Sequence, residues 1–340
     1  MQKVIIAGFG FMGGMHAQVY TRLRHARVVA IVGVRPARAA VRARQLGLDV
    51  PSYADLDEAL ARHAADVVDI CLPTPLHAPY FRRALAAGLN IFCEKPFTAD
   101  AREALALAEA AERSGVKVQI GHCVRFWPEY QAFTAFCKKR TAGRLLSLSL
   151  QRRAGRPARS ARGWANDARQ SGGAALDLHI HDTDFVQHLL GRPRAVTSIG
   201  TRDAGGWSHL FTTYHYDGIA VTAEGGWDYP KKWGFQMAFQ AVFERGAVEY
   251  DSTAQPTLVA TLGGGAKHPL PFRQPRIGPS RRGFGNISSL GGYYNQLSAF
   301  IDCLEHDRHP TLATARQAAD SVRTTLAEIK SAATGRPVRL

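Results

Sequence analysis

The sequence predicts an α/β chain of two domains. The first is an N-terminal Rossmann-type, doubly wound parallel sheet. The second is a C-terminal α+β domain on a large, mostly antiparallel open sheet. Three observations lead there. Residues 1–122 alternate short apolar runs with Ala/Arg-rich helical stretches, and near-continuous apolar runs suit strands covered on both faces. A glycine-rich turn joins the first run to the first helical stretch. After about residue 123 the pattern changes to longer strands, some separated by turn signals such as Asp217-Gly218. The expected domains are 1–122 and 123–340, with the C-terminal helices free to pack back on the first.

In order, the first domain reads as strand Lys3–Ala7, helix Met12–Arg24, strand Val28–Val32 and helix Arg38–Leu46. A short helix Asp55–His63, strand Val67–Cys71 and helix Pro79–Ala87, ended by Gly88, follow. Strand Asn90–Cys93, helix Asp100–Ser114 and strand Val116–Ile120 complete it, with Asp100 as N-cap and Gly115 as stop. The second domain reads as strands Leu145–Arg152, Ala195–Thr201, His209–Tyr216, Ile219–Glu224, Gln236–Phe243 and Ala247–Tyr250, closed by helices Tyr293–Glu305 and Ala313–Ala333.

Composition is that of an ordinary globular protein, 46% hydrophobic and 21% charged over 340 residues. The five cysteines, Cys71, Cys93, Cys123, Cys137 and Cys303, form no CxxC pair and read as thiols in a reducing compartment. Lys3 followed by Val4–Met15 imitates a secretion signal. Gly8, Gly10, Gly13 and Gly14 break that run, and no small-residue cleavage site follows. No apolar run is long enough to span a bilayer, so a cytoplasmic protein without a membrane partner is expected. The formal charge is +15. That excess suits a solvated basic surface or attraction for a phosphorylated cofactor or acidic substrate. The basic residues are spread along the chain without a nucleic-acid-binding signature, so no nucleic-acid partner is expected.

Gly8, Gly10 and Gly13, with Phe11 and Met12 between the last two, form G-x-G-x-x-G directly after a strand and before a helix. There the first glycine permits the tight turn, the second lets a pyrophosphate approach the backbone and the third lets helix and strand pack closely. The helix N-terminus then faces the phosphates. An acid about 20 residues on would hold the ribose of NAD. This chain has Gly33 there, followed by Arg35 and Arg38. A guanidinium suits a 2′-phosphate, so the favoured cofactor is NADP, with NAD as the alternative.

Glu94, Lys95 and Pro96 follow a strand, which places them at the carboxyl edge of the sheet, where ligands bind in such folds. Lys95 there suits acid–base work. Further on, Gly172 and Gly173 enter a helix-like run in which Asp177, His181 and Asp184 share a stripe. A histidine between carboxylates suits a proton shuttle, with Asp184 orienting His181. His179 and His181 are two apart and point away from each other on a helix, so no metal site is expected. A purely structural His/Asp network is the other reading of this segment.

Taken together, these motifs resemble the Gfo/Idh/MocA oxidoreductases, the glucose-fructose oxidoreductase and inositol dehydrogenase family. The resemblance runs over nearly the whole chain: Gly8–Gly13 with His16, Thr74 to His77, Glu94-Lys95-Pro96, Gly121 to Phe126, Gly172 to Asp184, and Thr334 to Val338. It implies that Lys95, Asp177 and His181 are catalytic. Lys95 and His181 would handle the proton of a substrate hydroxyl, and Asp177 would position and polarise. It implies cofactor contacts at Leu72, Thr74, Pro75, His77, Glu94 and Lys95, and places Arg125 near nicotinamide and substrate. His122, Arg162, Trp164 and His179 are weaker substrate candidates; His179 stands where many members carry glycine. The implied activity is hydride transfer between a nicotinamide and a secondary alcohol or ketone of a sugar, polyol or derivative. The implied assembly is a homodimer or homotetramer through the C-terminal sheet. Arg152, Arg153, Arg156, Arg159 and Arg162 read as a basic loop that could meet an anionic sugar. The competing functions are a glycosidase using its nicotinamide without net turnover and a non-catalytic NADP-binding regulator.

Overall fold

The computed structural model describes residues 1–156, 167, 171–230, 232–277 and 290–340. Arg159, Arg162 and Trp164 lie outside the described residues. The helices and strands, in chain order, are β1 (Gln2–Ala7), α1 (Phe11–Tyr20), β2 (Ala26–Val32), α2 (Pro36–Gln45), β3 (Ser52–Tyr53), α3 (Leu56–Arg62), β4 (Val67–Ile70), α4 (His77–Ala86), β5 (Asn90–Cys93), α5 (Ala101–Ser114) and β6 (Val118–Ile120). They continue with α6 (Pro128–Lys139), β7 (Leu145–Gly155), α7 (Ile180–Leu190), β8 (Ala195–Asp203), β9 (Gly206–His215), β10 (Ala220–Tyr229), β11 (Phe235–Phe243), β12 (Gly246–Asp251), β13 (Leu258–Leu262), β14 (His268–Pro269), α8 (Gly291–Glu305), α9 (Ala315–Thr334) and β15 (Val338–Arg339). The chain divides into two units. One is Met1–Phe126 with Pro275–Ala319; the other is Trp127–Gln274 with Asp320–Leu340.

In the first unit six parallel strands run in the order β3-β2-β1-β4-β5-β6. β1 and β4 are wholly buried over Val4–Ala7 and Val67–Ile70, as their unbroken apolar runs require. One polar residue, Asp69, sits inside that apolar layer at 0% exposure. Strand order reverses between β1 and β4, so their carboxyl ends open on the crevice where ligands bind in open parallel sheets. The punctuation read from sequence holds at α5. Asp100 accepts a hydrogen bond from the Glu103 amide at 2.8 Å, and Gly115 takes the left-handed conformation at φ 72°.

In the second unit nine strands run β14-β13-β12-β11-β7-β10-β9-β8-β15, antiparallel except for β7 beside β10. The inward face carries Leu148, Leu150, Val221, Met237, Phe239, Phe243, Val248 and Tyr250, all buried. Tyr130 and Phe133 of α6 stack their rings on Phe239 at 5.2 and 4.4 Å.

One reading from the sequence needs correction here. The arginines Arg152 and Arg153 are strand residues of β7 rather than part of a loop, and the three described members of that basic group are all ion-paired. Arg152 is buried and forks onto Asp182 at 2.8 and 2.9 Å. Arg153 forks onto Glu224 at 2.6 and 2.9 Å, and Arg156 pairs with Asp203. These guanidiniums are committed to the sheet rather than offered to a ligand. The core of this unit is partly polar. Beside Val322, α9 in this unit buries a run of polar residues: Ser321, Thr324, Thr325, Glu328 and Ser331 are all at 0% exposure. A hydrophobic pattern could not reveal this packing, because part of it is made by hydroxyl and carboxyl groups paired with one another. Ser321 donates to Asp184 at 2.8 Å, and Ser331 accepts from the Ser198 amide at 2.9 Å and donates to the Arg336 carbonyl at 2.7 Å.

The Arg152–Asp182 pair gives a direct stability test. Arg152→Met keeps the aliphatic bulk but strands a fully buried carboxyl, at an expected cost of about 3 kcal/mol. Chemical denaturation of wild type and variant measures it.

Candidate active site

The strand-turn-helix at the start of the chain is built by its glycines. Gly8 has φ 96°, and a Cβ there would lie 2.5 Å from the Cys71 carbonyl oxygen. A Cβ on Gly13 would lie 2.0 Å from the Gly8 carbonyl oxygen, so only glycine lets α1 pack this closely on the turn. Gly10 differs: a Cβ there would meet nothing within 4 Å. It borders open space at the head of α1. No side chain caps that helix and no acid stands in its first turn. Its first amides are therefore unmatched by any carboxylate, which is the donor set a pyrophosphate needs. These residues fit a dinucleotide cofactor. At the end of β2, a Cβ on Gly33 would find only the Phe9 amide, at 4.0 Å, and Arg35 and Arg38 are exposed.

β4 ends in the turn carrying Leu72, Thr74, Pro75 and His77. The His77 imidazole is 1% exposed, with Nδ1 2.8 Å from the Pro96 carbonyl oxygen and Nε2 2.8 Å from that of Leu72. Burial lowers its pKa, against the raising effect of those carbonyls. His77 thus ties the turn after β4 to the turn after β5.

That second turn is Glu94, Lys95 and Pro96, with a cis Lys95–Pro96 bond. Glu94 is 4% exposed and its Oε2 accepts the Lys95 amide at 3.2 Å. Lys95 is half-buried. Under the turn lies His16 of α1, wholly buried. Its Nδ1 is 2.8 Å from Asp69 Oδ2 and 3.2 Å from Cys71 Sγ, and its Nε2 is 3.1 Å from Glu94 Oε1. Burial works against a charge on the ring, but Asp69 and Cys71 outweigh it and hold the His16 pKa well above 6.5. The motif that contains His16 does not by itself assign the ring a role. The available signal was the acid Asp69 inside an apolar strand.

His122 is wholly buried and Arg125 is 4% exposed. Arg125 Nη1 donates to Gln317 Oε1 at 2.5 Å, which anchors it within the first unit.

In the second unit, Asp177 and His181 lie on a helix that begins with a π turn over Ala175–His179, closed by the Ile180 amide on the Ala175 carbonyl. The sequence anticipates a regular α stripe; the structure inserts a wider turn. Such turns add a residue to the helix and recur at functional sites. His179 is at 0% exposure, with Nε2 3.1 Å from Thr212 Oγ1 and 3.4 Å from Glu328 Oε2. Its ring lies against Gly225, where a Cβ would come within 2.5 Å of Nδ1. Burial lowers its pKa to about 3, so it is neutral. His179 is thus seated in the core of the second unit. Among the described residues no disulfide joins the five cysteines, and no helix is long and apolar enough to cross a membrane.

Residues 2–122 match the model of an oxidoreductase family with an NAD-binding Rossmann fold, and residues 130–249 match the GFO/IDH/MocA C-terminal domain. The chain is 32% identical over 290 residues to inositol 2-dehydrogenase 1 of Paenarthrobacter aurescens, covering 81% of each. Among solved structures it is similar to GenD2 from gentamicin A biosynthesis in complex with NAD, at TM-score 0.83 and 26% identity, covering 100% of this chain and 96% of that one. It shares its fold with levoglucosan dehydrogenase in complex with NADH and levoglucosan, at TM-score 0.85 and 19% identity, covering 99% of each. With both of its units matched in this way, the chain belongs to the Gfo/Idh/MocA oxidoreductase family.

Proposed function

We propose that this protein is a dehydrogenase or reductase that uses NAD(P), with NADP favoured, on a secondary alcohol or ketone of a sugar, polyol or derivative. The observation that carries this reading is Lys95, held by Glu94 at the carboxyl end of β5 in a sheet whose glycine turn presents uncapped helix amides. The names of similar proteins, inositol 2-dehydrogenase and levoglucosan dehydrogenase, support the substrate class.

A bound nicotinamide supplies the two-electron acceptor or donor. The chain supplies binding, orientation and proton transfer. Gly8, Gly10, Phe11, Met12 and Gly13 would hold the pyrophosphate, and Leu72, Thr74, Pro75, His77 and Glu94 would line the rest of the cofactor. Lys95 would take the hydroxyl proton as the alcohol is oxidised and return it in reduction. His181 is assigned the same proton work and Asp177 a positioning role. Arg125 and His122 are kept as substrate-side residues.

The relatives named with a cofactor carry NAD or NADH. The preference for NADP rests on this chain's own residues, the missing acid at Gly33 and the exposed Arg35 and Arg38. Arg35→Ala with Arg38→Ala should weaken NADP binding about tenfold or more and leave NAD binding within about twofold. Calorimetric titration with both nucleotides checks this, and tighter wild-type binding of NAD would overturn the preference. For assembly, we assign a homodimer or homotetramer through the outer face of the nine-stranded sheet. Ile199, Phe211 and Val242 on that face are 67%, 47% and 45% exposed, which supports it.

A further inference from the structure

The geometry points to His16 as a positioning residue that, as a buried imidazolium between Asp69 and Glu94, orients Glu94 and sets the proton affinity of Lys95. This rests on the reading of Lys95 as the proton-transfer group.

Two acids face the two nitrogens of one ring. Asp69 Oδ2 is 2.8 Å from Nδ1 and Glu94 Oε1 is 3.1 Å from Nε2. Of these two acids His16 hydrogen-bonds only Asp69, through Nδ1; its Nε2 stands at ion-pair distance from Glu94 without a hydrogen bond, so it is the charge of the imidazolium that couples the ring to both acids. Around them lie Cys71 Sγ at 3.2 Å, the Phe92 ring at 5.4 Å, the Tyr293 ring at 6.5 Å, and Tyr20 of the same helix facing Asp69. The ring and Asp69 are wholly buried, so their charges act with little water between them.

Glu94 has little freedom to turn away from His16. A Cβ on Gly121 would lie 2.6 Å from Glu94 Oε1 and 2.8 Å from its carboxyl carbon, so the backbone of Gly121 walls one side of the carboxylate. The Gly121 amide is itself fixed to the Cys93 carbonyl at 2.7 Å. The other oxygen, Oε2, accepts the amide of Lys95 at 3.2 Å. The line from Asp69 through His16 to Glu94 therefore runs from β4, through the helix of the glycine turn, to the backbone of Lys95. Its last two members carry opposite charges and act on the ammonium in opposite senses. Glu94 favours the protonated lysine; His16 opposes it.

This gives a signature that a merely structural role does not produce. In the full-length protein without added nucleotide, labelling of Lys95 by an amine-acylating reagent is followed against pH by peptide mass spectrometry. His16→Gln should raise the Lys95 labelling midpoint by about one pH unit, and Glu94→Gln should lower it by about as much. Opposite shifts support the relay. No shift in either variant, or shifts of the same sign in both, overturns it. If His16→Gln does not fold, His16→Asn takes its place: an unmoved or lowered midpoint in that variant overturns the proposal. The functional reading is judged separately. Lys95→Met that retains full turnover sinks the role of Lys95, whatever the labelling midpoints show.

Discussion

Lys95→Met is expected to lower kcat by about 10²- to 10⁴-fold while leaving nucleotide affinity within about threefold. Methionine keeps the length and apolar stem of lysine and removes only the ammonium. The backbone that holds the turn is untouched, because the bond from the Lys95 amide to Glu94 Oε2 does not involve the side chain. The cofactor cradle at Gly8, Gly10 and Gly13 is made of other residues. An interaction used in proton transfer should therefore disappear from kcat and kcat/KM together, with KM little changed. Steady-state kinetics with calorimetric nucleotide binding check both halves. A loss of less than about tenfold would remove Lys95 from proton transfer.

Glu328→Gln is expected to abolish a fall in stability that the wild-type protein shows between mildly acidic and mildly alkaline pH. Glu328 is wholly buried on the inward side of α9. Its two oxygens lie 3.0 and 3.2 Å from the Thr183 hydroxyl, and His179 beside it is neutral. Burial raises its pKa from 4.5 to about 8, aided by the charge of Asp182 and opposed by the hydrogen bonds from Thr183 and Tyr214. The folded state thus binds this proton more tightly than the unfolded chain. The stabilisation is complete below the unfolded pKa of 4.5 and is lost as pH rises to about 8. At about 1.4 kcal/mol per unit, the swing is about 5 kcal/mol. Glutamine keeps the shape of the protonated acid and cannot ionise. Thermal melts of both proteins from pH 5 to 9 should show a Tm that falls in wild type and is flatter in the variant. Parallel curves would contradict the assignment.

The contrast between Lys95 and Glu328 shows what the sequence could disclose. The first unit was legible because parallel strands buried on both faces leave unbroken apolar runs, and because glycine is the only residue that fits at Gly8 and Gly13. Asp100 and Gly115 bounded α5 for equally local reasons. The second unit's sheet was legible in outline, yet β13, β14, β15 and α6 were missed. Two of those strands have only two residues, and α6 begins at Pro128, directly after a buried 3-10 turn, without a capping side chain. The polar core could not be read at all. Serine, threonine and glutamate on α9 look like a solvated face until α7 and β8 supply their partners. The same holds for Arg152 and Arg153, which resemble a basic loop until Asp182 and Glu224 are placed beside them. At the candidate site, the residues of local motifs were found. His16, Asp69 and Glu94 were not joined, because they lie 53 or more positions from Asp69 or Glu94 to His16 in sequence and meet only through the sheet.

The central claim, that the chain oxidises a carbinol carbon of a sugar or polyol with a nicotinamide, is tested most directly by tracing hydrogen. The purified protein is incubated with NADP and, separately, NAD and a panel of polyols and sugars, and absorbance near 340 nm identifies a substrate. That substrate is then supplied with deuterium on its carbinol carbon. One deuterium is expected in the reduced nicotinamide for each ketone formed, faster with NADP. Cleavage of a glycoside with no net reduced nicotinamide, or reduced nicotinamide without the label, would contradict it.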